Sequence, residues 1–380
     1  MLDADLVVDA LFGIGLSRAP DTATSAVIEA INAQSAPVLA LDLPSGVDAR
    51  TGQVPGIAIN ATRTLQFIAA HRGLSTGDAL ERVGELELAT LDLPVTVFDG
   101  IEPTARACTV DALQAMLPLR ARNSHKGRNG HVLCMGGDHG GGGAVLLAAD
   151  AALRCGAGLV SVGTRGEHVP ALLSHRPEVM AHALDSAEGL QALLTRADVV
   201  AIGPGLGQSE WSRCLFDAVM ACEKPRVLDA DALNLLAHAP RMLRATDVLT
   251  PHPGEAARLL DCDTADIQGD RYAAAHALCE RYGAQIVLKG AGTIIASPDA
   301  TTVVIDAGNP GMAVGGMGDL LTGCIAALLA QGLSPSDAAG TGALLHASAG
   351  DAAAREDGER GLLPSDLLPY LRRLANPVRR

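Results

Sequence analysis

The sequence has very few aromatic residues. Trp, Tyr and Phe together make up 2% of its 380 positions, whereas hydrophobic residues reach 48%. The core must therefore be built from Ala, Leu, Val and Ile. Such small side chains let helices lie close on a sheet, so the composition favours an α/β fold. At this length, two domains are expected.

Positive charge is also scarce. The chain has 29 Lys and Arg residues against 43 Asp and Glu residues, for a formal net charge of −14. This argues against a nucleic-acid partner, because binding a phosphate backbone needs a basic surface. It does not exclude a small anionic ligand, since backbone amides at the start of a helix can bind a phosphate without any lysine.

The sequence lacks the features that are typical of secreted and membrane proteins. The eight cysteines include no Cys-x-x-Cys pair, and the first residues lack the basic-then-apolar pattern of a signal peptide. No stretch approaches the roughly 18 apolar residues that a membrane span requires. The sequence therefore predicts a reduced, cytoplasmic protein with no disulfide framework, zinc site or membrane segment.

Short apolar runs alternate with helical patterns in two stretches of the chain, as is typical of parallel sheets. We interpret residues 1–100 as a partial Rossmann-like α/β domain, residues 101–122 as a linker, and residues 123–380 as a second α/β domain. Residues 5–10 already resemble an interior strand of a sheet. The first domain is therefore expected to be truncated, or to start upstream.

Two glycine-rich segments follow predicted strands. Residues 136–143 (GGDHGGGG) precede a predicted helix, and residues 203–207 (GPGLG) follow the predicted strand 199–202. The first segment matches neither the Rossmann fingerprint nor a P-loop. It could bind a phosphate at the helix N-terminus or be a flexible turn. For the second segment, its position at a strand end favours ligand contact over a tight turn.

Three further segments place polar residues after strands. Asp229 and Asp231 could bind Mg²⁺, contact a ligand or cap a helix. His252 lies between two prolines that stiffen its backbone, and its position after a strand favours ligand contact. Lys289 precedes Gly-Ala-Gly-Thr, a combination of cation, glycines and hydroxyl that suits a nucleotide phosphate.

Residues 309–319 give the strongest indication of catalysis. Gly315, Gly316 and Gly318 precede a predicted helix, so their amides can form an anion hole at its N-terminus. Asp319, in the first helical turn, could accept a proton from a hydroxyl that attacks a phosphate. Helix capping alone would leave the preceding glycines without a role.

In this order, the motifs resemble those of the ADP-dependent NAD(P)H-hydrate dehydratases, a family with a ribokinase-like fold. The resemblance begins at Ser124, in the stretch Ser-His-Lys-Gly, and continues to about residue 377. It implies a three-layer α/β/α domain. The implied reaction phosphorylates the C6 hydroxyl of (6S)-NADH or NADPH hydrate with ADP and then eliminates phosphate, which yields NAD(P)H, AMP and phosphate.

The same resemblance implies roles for individual residues. Asp319 would be the catalytic base, and Mg²⁺ would accompany ADP. The hydrated nucleotide would contact Ala144, Gly205, Gly207, His252 and Asp319. The adenine nucleotide would contact Lys289, Gly290, Ala291, Gly292, Thr293 and Gly318.

Residues 8–15 and 41–46 resemble the NAD(P)H-hydrate epimerase domain that is fused to this dehydratase in many bacteria. By position, Asp9 and Ser45 would ligate K⁺. The substrate would contact Gly13, Ile14, Gly15, Leu16, Ser17, Arg18, Ala19 and Asp42. Epimerases carry an Asn-Asn-Gly-Gly-Asp-Gly loop upstream of these motifs, which this sequence lacks. We therefore expect epimerase activity to be lost and the segment to be structural.

Two other functions remain open. A ribokinase-superfamily kinase of a small molecule, such as a vitamin precursor alcohol, would use the same anion hole and base but release a stable phosphorylated alcohol. A non-catalytic nucleotide sensor would need no positioned base, so Asp319 argues against it. The choice of ADP over ATP rests on the resemblance alone, and a homo-oligomer is expected.

Overall fold

The computed structural model describes residues 4–16, 18–117, 119–184 and 187–376. Its first sheet has four parallel strands in the order β1-β2-β3-β4. We call residues 4–89, which contain this sheet, the N-terminal unit. Its regular elements are β1 (Val7–Asp9), α1 (Thr22–Asn32), β2 (Val38–Leu41), β3 (Arg63–Phe67) and β4 (Glu85–Ala89).

Local sequence explains how α1 begins and which face it buries. The Asp21 side chain accepts a hydrogen bond of 2.8 Å from the backbone N–H of Thr24 and so caps the helix N-terminus. Ile28 and Ile31, one turn apart, are buried against Val38 of β2. These contacts fix α1 on the sheet.

The second sheet has ten strands in the order β5-β14-β13-β12-β11-β10-β9-β6-β7-β8. Neighbouring strands are parallel except at β12–β13 and β13–β14. The strands are β5 (Ala105–Cys108), β6 (His131–Met135), β7 (Leu159–Thr164), β8 (Met180–Ala183), β9 (Val199–Ile202), β10 (Arg226–Leu228), β11 (Val248–Leu249), β12 (Gln285–Leu288), β13 (Ile294–Ser297) and β14 (Ala300–Ile305). We call residues 105–376 the C-terminal unit.

Helices cover both faces of this sheet. Along β6, Val132 and Cys134 face one layer of helices, and Leu133 and Met135 face the other. The first layer contains α2 (Leu113–Met116), α3 (Gly142–Arg154), α4 (Val169–His175), α11 (Met317–Ala330), α12 (Pro335–Asp357) and α13 (Pro364–Leu374). The second contains α5 (Ala187–Arg196), α6 (Glu210–Ala221), α7 (Ala230–His238), α8 (Pro253–Leu260), α9 (Thr264–Gly269) and α10 (Arg271–Tyr282). The predicted three-layer α/β/α fold is confirmed.

The residues predicted as a linker contribute to the larger sheet. Strand β5 pairs with β14, and Cys108, Leu113 and Leu117 are buried in the core beneath α12. This strand was not predicted, because its side chains before Cys108 are partly or largely exposed and form no apolar run. We therefore draw the second domain from residue 105, and this division of the chain remains a proposal.

Within the described residues, no helix has both the length and the apolar character needed to cross a bilayer. The longest, α12, has 23 residues but carries charges at both ends. Its middle is rich in Gly, Ala and Ser and is buried inside the protein.

Candidate active site

Five neighbouring strands of the larger sheet end at one edge, and each is followed by a predicted motif. In spatial order these strands are β12, β11, β10, β9 and β6. The segments that follow them are residues 289–293, 250–255, 229–234, 203–207 and 136–143. Because all five strands are parallel, their carboxyl ends lie together, where α/β proteins bind ligands. The fold thus gathers motifs that are up to 157 positions apart in sequence.

A buried ion pair lies at the centre of this edge. Lys289 Nζ donates a hydrogen bond of 2.7 Å to Asp229 Oδ1, and Thr322 Oγ1 donates one of 2.9 Å to Asp229 Oδ2. Burial disfavours charge on both partners, but their mutual attraction outweighs it, so the pKa of Asp229 is lowered and the pKa of Lys289 is raised. Both groups are therefore charged at neutral pH.

Asp319 lies in the first turn of α11, beside this pair. Gly316 precedes the helix with a φ of 97°, a left-handed conformation that favours glycine. Burial, reinforced by the negative charge of Asp229, raises the pKa of Asp319 to about 7. Such a carboxylate can both take up and release a proton at neutral pH.

Gly318 brings the helix start against the ion pair. A Cβ at this position would lie 3.2 Å from Lys289 Nζ and 3.4 Å from Asp229 Oδ2. The predicted nucleotide contacts Lys289 and Gly318 are therefore adjacent in space. Lys289 was predicted to contact a phosphate, yet in this structure its ammonium group pairs with Asp229, and the side chain is 18% exposed.

His252 has a structural contact in addition to its predicted role. Its Nδ1 accepts hydrogen bonds from the N–H groups of Gly254 and Glu255, and so caps α8. Burial lowers the pKa of His252, so the ring is neutral at neutral pH. The carboxylate of Glu255 accepts a hydrogen bond of 2.7 Å from the backbone N–H of His252, and it lies 3.6 Å from Lys289 Nζ. The His252 side chain is half exposed.

The two glycine-rich segments pack against each other. The N–H of Asp138 donates to the carbonyl of Gly205 at 2.7 Å, and a Cβ on Gly141 would lie 2.5 Å from that same oxygen. The N–H of Gly207 donates to Asp231 Oδ2 at 2.8 Å. Asp231 therefore anchors the second segment rather than capping α7. The half-buried Ala144 lies in the first turn of α3, next to this contact.

Sequence reasoning missed Asp138, which anchors both segments. Its side chain accepts hydrogen bonds from Ser209 Oγ at 2.6 Å and Arg165 Nε at 2.8 Å. Burial alone would raise its pKa, but these two donors lower it to about 2. Its position within a run of glycines could have revealed it. A solvent-exposed turn does not require a charged residue there, so the aspartate indicates a specific partner.

The segment 289–293 borders the N-terminal unit. The carbonyls of Ala291 and Gly292 lie 3.1 and 2.8 Å from Thr76 Oγ1, and Thr293 Oγ1 donates to the carbonyl of Gly290. The five residues predicted to contact the adenine nucleotide here therefore lie at the site edge, and Ala291 and Gly292 among them contact the N-terminal unit. No local pattern in the sequence indicates that contact.

The N-terminal unit gathers its own polar residues at the carboxyl ends of β1, β2 and β3. Ser45 Oγ donates to Asp9 Oδ1 at 2.7 Å, and its N–H donates to Asp9 Oδ2 at the same distance. Asp42, with a φ of 71°, lies 2.8 Å from His71 Nε2, a partner that sequence reasoning missed. The two predicted K⁺ ligands are thus adjacent and buried.

The predicted substrate loop of the N-terminal unit is largely exposed. Ile14 is 67% exposed, and a Cβ on Gly13 or Gly15 would meet nothing within 4 Å. Leu16, Arg18 and Ala19 continue this stretch, and Ser17 lies outside the described residues. The loop therefore borders Asp9 and Ser45 while leaving space for a ligand.

The described residues contain no cluster of three or more His, Cys, Asp and Glu side chains that could hold a metal ion by themselves. Asp229, the best-placed carboxylate, is already engaged by Lys289 and Thr322. Mg²⁺ commonly keeps several waters and binds one or two carboxylates together with substrate phosphates. The residues at the site therefore fit a Mg²⁺ ion that binds together with the phosphates of a nucleotide.

Two family profiles match this chain. The NAD(P)H-hydrate dehydratase profile matches residues 132–373, which include all the motifs of the larger sheet edge. The profile of the YjeF-related protein N-terminus matches residues 1–73. The first match contains β7 to β14 and nearly all of β6, and the second contains β1, β2 and β3.

Curated relatives resemble the chain over nearly its whole length. A bifunctional NAD(P)H-hydrate repair enzyme of Coxiella burnetii is 48% identical over 377 residues, 99% of this chain and 77% of that protein. The Escherichia coli enzyme of the same name is 48% identical over 98% of this chain and 72% of its own length. Both similarities extend across the two units.

Solved structures resemble the C-terminal unit. A ribokinase-like protein from Enterococcus faecalis has a TM-score of 0.68 and 28% identity, covering 73% of this chain and 98% of its own. The ADP/ATP-dependent NAD(P)H-hydrate dehydratase of Bacillus subtilis, co-crystallised with ATP and Mg²⁺, has a TM-score of 0.64 and 32% identity, covering 71% and 97%. The chain belongs to the family of NAD(P)H-hydrate repair enzymes and carries both its dehydratase domain and its YjeF-related, epimerase-type N-terminal domain.

Proposed function

We propose that the C-terminal unit dehydrates (6S)-NAD(P)H hydrate with ADP as phosphate donor, and that Asp319 is the catalytic base. The observation that carries this proposal is the position of Asp319. It lies at the glycine-rich start of α11, and burial beside Asp229 raises its pKa to about 7. A base with a pKa near the working pH is best suited to proton transfer.

In the first step, Asp319 accepts the proton of the C6 hydroxyl. The hydroxyl oxygen forms a bond to the β-phosphorus of ADP, and the bond from that phosphorus to the bridging oxygen of AMP breaks. The amides of Gly316 and Gly318 would face the transferring phosphate. The phosphate then leaves C6 with its bonding electrons, the neighbouring ring carbon loses a proton to water, and the C–H bonding electrons form the ring double bond that restores the reduced nicotinamide.

The other predicted residues would hold the two substrates. Residues 289–293 and Gly318 would contact the adenine nucleotide, whereas Ala144, residues 203–207 and His252 would contact the hydrate. The order of the strands supports this division for Ala144 and residues 203–207, because β6 and β9 lie on the opposite side of β10 from β12. His252 follows β11, next to β12, and its assignment rests on the resemblance alone. Mg²⁺ bound to ADP would supply charge neutralisation for the phosphates.

We further propose that the N-terminal unit interconverts the R and S hydrates. The expected loss of epimerase activity is not confirmed, because the N-terminal profile match and the bifunctional relatives favour an epimerase. The adjacent oxygens of Asp9 and Ser45 fit a hard cation such as K⁺. The binding of K⁺, the preference between NADH and NADPH, and homo-oligomer formation remain predictions.

The test supplies NADPH hydrate with ADP and Mg²⁺ and follows the absorbance of the reduced nicotinamide. Pure S hydrate should give NADPH, AMP and phosphate in equal amounts. A stable phosphorylated hydrate would instead indicate a kinase, and no turnover would reject both activities. Pure R hydrate should be repaired faster than it epimerises without enzyme, and repair at the uncatalysed rate would reject the epimerase proposal.

A further inference from the structure

The two units meet through a buried polar contact at the segment 289–293. Thr76 of the N-terminal unit is fully buried, and its hydroxyl donates to the carbonyl oxygen of Gly292 at 2.8 Å. The carbonyl oxygen of Ala291 lies 3.1 Å from the same hydroxyl. The neighbouring N–H of Gly77 also donates to the Ala291 carbonyl at 3.1 Å. One turn of the N-terminal unit therefore binds the backbone of the predicted nucleotide loop.

Arg271 extends this contact. Its side chain is 1% exposed, and it donates from Nε to Thr76 Oγ1 at 2.9 Å and from Nη2 to the carbonyl of Lys289 at 3.2 Å. Among the described residues, its hydrogen-bond acceptors are neutral: a hydroxyl, backbone carbonyls and the amide of Gln268. Burying a cation without a carboxylate partner costs free energy. Such an arrangement is unusual in a contact that only packs two surfaces together.

The loop itself is shaped to receive these groups. A Cβ on Gly290 would lie 3.0 Å from both terminal nitrogens of Arg271, and one on Gly292 would lie 2.0 Å from the carbonyl oxygen of Ser75. Both glycines also have positive φ values, 134° and 63°. A side chain at Gly292 would displace the N-terminal unit, and one at Gly290 would displace the guanidinium group of Arg271. The loop conformation and the contact therefore depend on each other.

We infer that Thr76 and Arg271 are positioning residues that hold residues 289–293 in the conformation that binds the adenine nucleotide. The N-terminal unit would thus complete the nucleotide site of the dehydratase, in addition to its own reaction. This inference rests on the proposed function, because it assumes that the loop contacts ADP. It predicts that loss of the Thr76 hydroxyl affects ADP and leaves the hydrate and the chemical step alone.

The test compares Thr76→Val, which removes the hydroxyl at nearly constant volume, with Thr76→Ser, which keeps it. We expect Thr76→Val to raise the KM for ADP about tenfold, the factor that corresponds to one lost hydrogen bond that leaves a buried donor unpaired. The kcat and the KM for the hydrate should change less than about twofold. Thr76→Ser should restore the wild-type KM for ADP.

Tyr272→Phe is the matched control. The Tyr272 hydroxyl donates to the carbonyl of Arg72 at 2.8 Å, across the same contact between units but away from the loop. This variant should leave the KM for ADP unchanged. If Thr76→Val leaves that KM unchanged, or if both variants raise it equally, the positioning role is wrong. Arg271→Lys, which keeps the charge, gives a second measurement if Thr76→Val does not fold.

The two proposals fail in different ways. Absence of ADP-dependent turnover in the wild-type protein would reject the proposed function. Normal wild-type turnover with equal ADP affinity in the wild-type and Thr76→Val proteins, measured by calorimetry, would reject the positioning role alone. Calorimetry that shows no binding of adenine nucleotide to the wild-type protein would overturn the assignment of the loop and the inference together.

Discussion

The two sheets of this protein differ in how completely they are covered. Every residue of β6, β9, β10 and β12 in the larger sheet is buried, because helices pack on both faces. In the N-terminal unit, Val8 of β1 is 52% exposed and Leu88 of β4 is 47% exposed. Parallel strands are usually buried on both faces, so the smaller sheet departs from the general pattern.

This difference extends to the two sites. In the larger unit, Asp319 is desolvated beside other carboxylates, which raises its pKa to about 7. In the N-terminal unit, Asp9 and Ser45 are buried, but the Asp42 and His71 side chains are 24% and 20% exposed. A low dielectric strengthens every charge interaction, so substitutions should have larger effects in the covered site.

Substitution of the proposed base should have the largest effect. Asp319→Asn keeps the shape of the side chain but removes the proton acceptor, so kcat for dehydration should fall about 10²- to 10⁴-fold. Binding of ADP, measured by calorimetry, should change little. Turnover near the wild-type rate would rule out Asp319 as the base.

The pKa of Asp319 predicts how the dehydration rate depends on pH. Only the deprotonated carboxylate can accept a proton, and the pKa of Asp319 is about 7. The dehydration rate of the wild-type protein should therefore fall as the pH decreases through about 7, and the residual rate of Asp319→Asn should not. A wild-type rate that stays constant from pH 8 to about pH 5 would contradict this assignment.

Lys289→Met tests how far the covered site depends on its buried ion pair. ADP affinity should fall about 10- to 150-fold, which corresponds to 1.5–3 kcal/mol for a hydrogen bond to a charged group. The free energy of unfolding should also fall, by about 3–5 kcal/mol, because Asp229 is left with an uncompensated buried charge. Calorimetry and denaturant titration measure the two effects.

The double variant Asp229→Asn with Lys289→Met separates these two effects. Removing both charges should recover most of the stability, because no buried charge remains unpaired. It should not recover ADP affinity. If the double variant binds ADP like the wild-type protein, Lys289 has no direct contact with the nucleotide, and its role is to neutralise Asp229.

Asp9→Asn should have the smallest effect and should be confined to the N-terminal unit. The change removes one negative charge from the proposed K⁺ site, so the K⁺ concentration for half-maximal repair of R hydrate should rise about tenfold. Dehydration of S hydrate should be unaffected. Glu87→Gln, in the exposed strand β4, is the control. Equal effects of the two variants would argue against a K⁺ site at Asp9.

The sequence by itself indicated the fold class, some of the buried strands and the candidate loops. Strand 199–202 was predicted with the bounds observed, because a short continuous apolar run that ends in a glycine-rich segment is typical of a buried strand. The exposed strands β4 and β5 were missed, because their side chains lack such a pattern. The loops were found because each of them follows a buried strand.

Only the tertiary structure decided which residues meet. Asp229, Lys289 and Thr322 are 33 to 93 positions apart, and no local pattern indicates that Lys289 and Thr322 both donate hydrogen bonds to Asp229. The raised pKa of Asp319 likewise depends on burial and on charges brought in by other strands. The contact of Thr76 with the nucleotide loop joins residues more than 200 positions apart. Periodicity and turn chemistry are local properties, whereas pairing and desolvation depend on the packing of the whole chain.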